Sequence, residues 1–120
     1  MKVAVTAQGK TLDSPMDPRF GRAQCFIVVD TDSGDFEVAD NQQNLNAAQG
    51  AGIQAGKTVA DSGAEVLLTG HCGPNAYRTL SAAGVKVVVG AEGSVKEALE
   101  KFKNGELKPS EGADVEGHWV

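Results

Sequence analysis

From residue 64 onward the chain alternates short apolar runs with stretches of helical spacing, and this alternation constrains its fold more than any other feature. "AEVLLTG" (64–70) and "VKVVVG" (85–90) are brief, rich in branched residues and closed by glycine, so they predict buried strands. Between them "PNAYRTLSAAG" (74–84) has proline in its first turn and Gly84 behind its end, the punctuation of a helix. After them "SVKEALEKFKNG" (94–105) spaces Ser94 and Glu97 as a capping box. Val95, Ala98, Leu99 and Phe102 share one face of that helix, and Gly105 is its stop. Strands alternating with helices call for parallel pairing and right-handed crossovers.

Upstream the pattern differs. "KVAVTA" (2–7) alternates as a strand does, and "CFIVVDT" (25–31) is a nearly continuous apolar run, as expected of a strand buried on both faces. "SGD" (33–35) then turns the chain into "FEVAD" (36–40), which predicts an antiparallel hairpin. A polar loop, "NQQNLNAAQGAG", leads into a helix over about 50–62. Its Gly52, Gly56 and Ala60, four apart, are expected to bring the helix backbone close to the sheet. The order is β-β-β-α-β-α-β-α, an α/β fold with a mixed sheet. Residues 106–120, "ELKPSEGADVEGHWV", lack periodicity and read as a tail on a 1–105 domain.

At 120 residues, with 41% apolar and 22% charged, the chain is sized for one globular domain. A net charge of −5 is the wrong sign for a diffuse nucleic-acid binder, which gains most of its affinity by neutralising phosphates. No run approaches the roughly 20 apolar residues of a membrane span, and "MKVAVTAQG" has no signal-peptide core, so a cytoplasmic location is expected. Cys25 and Cys72 sit far apart in such a chain, which argues against a structural disulfide. No CxxC or HExxH spacing is present.

In open α/β sheets ligands bind beyond the carboxyl ends of the parallel strands. Three segments should reach that edge: "QGKTLDSPMDPRFGRA" (8–23), "NLNAAQGAG" (44–52) and "GHCGPN" (70–75). Two helix starts there offer backbone N–H groups and partial positive charge, and Gly50, Gly52 and Gly73 let a ligand approach the backbone. Arg19 and Arg22 add two cations, so the edge suits an anion. Each feature also has a plainer reading. The arginines could pair with Asp13 or Asp17 on the surface, Gly73-Pro74 could be helix punctuation, and Cys25 reads as a small buried hydrophobe. Gly50 and Gly52 lie too far from the preceding strand for a dinucleotide fingerprint. His118 and Trp119 lie in the tail, where disorder is the leading reading.

His71 and Cys72 together supply at most two ligands, short of a closed zinc site, and sequence neighbours make a poor catalytic dyad. Dipole stabilisation of a thiolate at a helix start points instead to a pocket-lining place beside an anion, with soft contact to metal or sulfide.

Three stretches carry a family resemblance: "DPRFGRAQCFIVVD" (17–30), the Asn-rich lead into "GAGIQAGKTVADSGAEVLLTG" (50–70), and "HCGPNAYRTLSAAGVKVVV" (71–89). In this order, with "KVAVTA" ahead of them, the chain resembles the nitrogenase iron–molybdenum cofactor carrier family. Among its members it looks most like the orange proteins, which carry a molybdenum–copper sulfide cluster without covalent attachment. The resemblance implies a ribonuclease H-like layer of five mixed strands and three helices, and a polyanionic metal–sulfur cluster at the pocket edge. The positions matching the family's motifs are Arg19, Gly21 and Arg22, then Asn44, Gly50 and Gly52, then His71, Gly73 and Asn75. Cys72 lies in the last motif loop, although a cysteine there is not general in the family.

The expectation is therefore a non-enzymatic binder or carrier of an anionic molybdenum-containing cluster, of molybdenum–copper or iron–molybdenum type. Its partners would be proteins that donate or accept the cluster, not nucleic acid or membrane. The alternatives are a small enzyme acting on a phosphorylated metabolite at the same site and a cofactor-free partner-binding module.

Overall fold

The computed structural model describes residues 1–41 and 51–109. Among these described residues, five strands and three helices follow the expected order: β1 (Lys2–Ala7), β2 (Cys25–Asp30), β3 (Phe36–Asp40), α1 (Ala51–Asp61), β4 (Val66–Leu68), α2 (Pro74–Ala82), β5 (Lys86–Val88) and α3 (Val95–Lys103). They form one sheet in the order β3-β2-β1-β4-β5. β1 pairs antiparallel with β2 and parallel with β4, β2 pairs antiparallel with β3, and β4 pairs parallel with β5. The sheet is mixed, as the sequence implies.

Alternation along the strands divides the core. Val3, Val5, Ile27, Val29 and Leu68 pack on one face with Val95, Ala98 and Leu99 of α3. Ala4, Phe26, Val28 and Leu67 pack on the other with Ala55 and Val59 of α1 and Ala76 and Leu80 of α2. The continuous apolar run of β2 is thereby explained, since helices cover both of its faces. Leu107, placed by the sequence in the tail, packs against the α3-side core. His118 and Trp119 lie outside the described residues.

Two helix details decide where the elements sit. α2 stops where Gly84 takes φ +81° and Val85 N–H donates to the Leu80 carbonyl at 2.9 Å, a reversal that releases the chain into β5. In α1 Gly56 does not face the sheet as expected. A Cβ on Gly56 would lie 2.9 Å from Thr79 Cγ2 and 3.7 Å from Leu80 Cγ, both on α2. Ala55 and Val59 pack with the sheet, so Gly56 serves the close approach of two neighbouring helices.

The strand predicted over 64–70 is assigned only over Val66–Leu68, yet parallel bonds continue beyond it. Lys86 N–H donates to the Glu65 carbonyl at 3.0 Å, and Thr69 N–H to the Val88 carbonyl at 3.0 Å. The Gly70 carbonyl still accepts the Gly90 N–H at 2.9 Å, and the next N–H, that of His71, turns to a different partner.

The capping box forms as expected: Glu97 N–H donates to Ser94 Oγ and Ser94 N–H to Glu97 Oε1, both at 3.1 Å. Ser94→Ala should lower stability by about 1 kcal/mol, read by chemical denaturation.

Candidate functional site

Strand direction gathers the chemistry. Ala7 pairs with Cys25, and Cys25 with Asp40, so β1 and β3 end at the same edge where β2 begins. β4 and β5 run parallel to β1, so α2 and α3 also start at that edge.

The segment after β1 folds back across this edge in two stages. Its first half bridges Ala7 to Met16 and Pro15 to Ser94, and Val95 N–H donates to the Ser14 carbonyl at 3.0 Å. Its second half crosses to the end of β4. Asp17 N–H donates to the Thr6 carbonyl at 2.9 Å, and His71 N–H to the Pro18 carbonyl at 2.7 Å. Arg19 and His71 then run side by side as a short parallel bridge. Gly70 permits this approach, because a Cβ there would stand 2.7 Å from the Pro18 carbonyl oxygen and 2.8 Å from its Cα. Backbone atoms cannot swing away from such a contact as a side-chain tip can.

A buried polar knot lies beneath the junction. Thr6 Oγ1 donates its one hydrogen to the Asp17 carbonyl at 2.6 Å and pairs with the Thr69 hydroxyl, 3.1 Å away, as acceptor, and both threonines are fully buried. The Asp17 side chain is also buried, at 4% exposure for the residue. Its Oδ1 accepts the Arg19 N–H at 3.0 Å and lies 3.9 Å from Arg19 Nε. Burial pushes the Asp17 carboxyl above its ordinary range, with the Arg19 N–H bond and the Arg19 charge pulling the other way. The sequence offered Asp17 only as a surface counter-ion. Its Asp-Pro-Arg setting, with an aspartate two residues ahead of a backbone N–H it can cap, was the available signal.

Of the expected site residues, the structure brings Arg19 and His71 together through their backbones, with Gly73 and Asn75 following directly at the start of α2. Gly73 is the N-cap residue of α2, Pro74 follows it, and no side chain caps the first turn. Asn75 is exposed in that turn, and His71 is half-buried. Gly21 is buried, and its carbonyl accepts Asn41 Nδ2 at 3.3 Å, while the Ala23 carbonyl accepts the same amide at 2.7 Å. Asn41 thus ties the arginine loop to the end of β3, a role the sequence did not reveal. Arg22 is half-buried and Gly52 is buried near the start of α1. Asn44 and Gly50 lie outside the described residues.

Cys72 does not line the edge as its sequence position implies: the residue has no exposed surface and packs with Phe20, Ala76 and Leu80 in the core under the helices. The chain turns at His71 so that the imidazole-bearing residue stays at the edge while its neighbour is driven inward. Cys25 is the buried small side chain the sequence predicts, its thiol donating to the Gly9 carbonyl at 3.2 Å. Burial and the nearby Asp40 push that thiol up. Among the described residues no group of three or more His, Cys, Asp or Glu side chains is placed to hold a metal ion. No helix among them is long and apolar enough to cross a membrane.

The family described as "Dinitrogenase iron-molybdenum cofactor" matches residues 1–105, which contain every element of this edge. The chain belongs to that family. Its fold matches the apo form of the orange protein from Desulfovibrio gigas, 44% identical, with a TM-score of 0.93 over 95% of this chain and 96% of that one. A putative NifB protein from Thermotoga is 40% identical, with a TM-score of 0.79 over 90% and 91% of the two chains. An uncharacterized protein from Methanocaldococcus jannaschii is 26% identical over 113 residues, 92% of each chain.

Two outcomes test this geometry. Gly70→Ala should destabilise the fold by about 1–3 kcal/mol, because its Cβ meets backbone, and a loss under 0.5 kcal/mol in denaturant titration would refute the tight contact. Asp17 gives a pH signature. Near its ordinary value of 3.8 the unfolded chain ionises while the folded chain keeps its proton, so the native state binds more protons. The wild type should therefore lose stability relative to Asp17→Asn as pH rises through that window, and a flat difference from pH 3 to 8, measured by thermal melts, would contradict the burial effect.

Proposed function

We propose that this chain binds and carries an anionic molybdenum-containing metal–sulfur cluster without covalent attachment. The observation that carries the reading is the Arg19–His71 backbone bridge, which sets a guanidinium-bearing loop beside the uncapped start of α2. Helix starts and guanidinium groups favour negative charge, and sulfide atoms can accept their hydrogen bonds. The residues present fit such a group: donors cluster at the edge, and the described part of the site has no set of side chains suited to closing around a bare metal ion. Arg19 and Arg22 would supply charge, the first turn of α2 its N–H groups, and His71 a donor or a soft contact. Gly21 and Gly52 would leave room, and Asn44 and Gly50 join the set by sequence alone.

Membership of a family named for the iron–molybdenum cofactor and likeness to the orange protein support this reading. The finer choice between a molybdenum–copper sulfide and an iron–molybdenum cluster belongs to the proposal. So do a carrier role rather than an enzymatic one, a cytoplasmic location, the ribonuclease H-like assignment of the five-stranded layer, and exchange with donor or acceptor proteins. The likeness to a putative NifB protein favours a place in cluster transfer.

The test is elemental analysis with visible absorption on protein isolated anaerobically, then on protein incubated with tetrathiomolybdate and copper. Molybdenum with copper and sulfide-to-metal absorption supports the molybdenum–copper form, and iron with molybdenum the other. Arg19→Ala combined with Arg22→Ala should weaken binding by about a hundredfold or more, since each charge-assisted contact contributes about 1.5–3 kcal/mol. A chain that takes up no metal under either condition sinks the proposal.

A further inference from the structure

Asp17 is out of place in an anion site. It is an acid set against the loop that presents Arg19, almost fully enclosed, and fixed on both sides. Its backbone is clamped to Thr6 through both N–H and carbonyl, and Pro18 after it is bonded to His71. The carboxylate is held by the Arg19 N–H at 3.0 Å, a bond independent of where the Arg19 side chain points. The guanidinium is held more loosely: its Nε lies 3.9 Å from Oδ1, beyond hydrogen-bond length, and the Arg19 side chain is 51% exposed against 5% for Asp17. The acid is enclosed and hydrogen-bonded, whereas the cation beside it is half exposed and outside hydrogen-bond length.

Resting on the cluster reading above, we infer that Asp17 is an internal competitor for Arg19, a built-in counter-ion that sets how tightly the site grips an anion and how readily it lets go. An anion entering the edge draws the guanidinium outward and leaves the carboxylate buried without its counter-charge. That stranded charge is unfavourable, because removing one partner of an enclosed pair exposes the full desolvation cost of the other. The upward shift of the Asp17 carboxyl agrees, since its charge is already disfavoured with Arg19 in place. Asp17 thereby opposes ligand retention through Arg19, a property suited to a protein that must release its cargo.

Asp17→Asn isolates the charge. An asparagine Oδ1 still accepts the Arg19 N–H, so the turn is kept while the competing charge is removed. With tetrathiomolybdate as probe, followed by visible absorption and by release after dilution, Asp17→Asn should bind about fivefold more tightly than wild type and release more slowly. In an Arg19→Ala background the same substitution should change nothing beyond twofold, because the competitor has lost the group it competes for. Tighter binding that persists without Arg19 would assign Asp17 a general repulsion and overturn the inference. Weaker binding by a normally melting Asp17→Asn would make Asp17 an orienting residue and also overturn it. If wild type binds and Asp17→Asn is indistinguishable from it, the inference fails while the cluster reading stands; if no variant binds, both fall.

Discussion

The short junction between residues 17–19 and 69–71 is the constraint on which the rest of the edge depends. Two strands side by side in a parallel sheet end at the same height, and what they carry into solvent is arranged by whatever ties their extensions together. Here the tie is the Pro18 carbonyl receiving the His71 N–H, with Gly70 bare enough to let the two backbones touch. The threonine pair beneath satisfies the polar groups this closure buries, so the junction is bonded rather than merely packed. Because the link is backbone to backbone, the arginine loop and the start of α2 hold a fixed relation whatever their side chains do.

Much of the fold was legible because its signals are local. A capping box, a proline at a first turn and glycines behind two helices are each read within a few residues, and each formed where the spacing placed it. The mixed sheet followed from one hairpin and a repeated strand–helix pattern. Boundaries were less legible: just past β4 the His71 N–H is taken by Pro18, some fifty positions earlier, and no local pattern encodes that. Gly56 of α1 shows the same limit, since spacing reveals a narrow helix face and cannot say whether a sheet or a helix lies against it.

The site was legible to the extent that topology delivers strand ends to one edge, and Arg19, His71, Gly73 and Asn75 are there for that reason. The chemistry of adjacent residues was not. His71 and Cys72 look equivalent in the sequence, yet a single residue step turns one toward the edge and the other into an apolar core. Asp17 looks like an ordinary loop acid until its enclosure is known. Both differences come from which side of the backbone faces the packed interior, and strand alternation does not extend into loops.

Joining Arg19 to His71 across most of the chain's first half and more has a consequence for when the site exists. The loop after β1 can be positioned only after β4 has slotted in beside β1, a pairing that waits on the whole intervening hairpin and helix. A chain emerging during synthesis, or one cut between these segments and allowed to separate, has both halves of the junction and no junction. A cluster bound as proposed above would then be taken up only by molecules that have completed their sheet, and its presence would in turn hold that sheet closed.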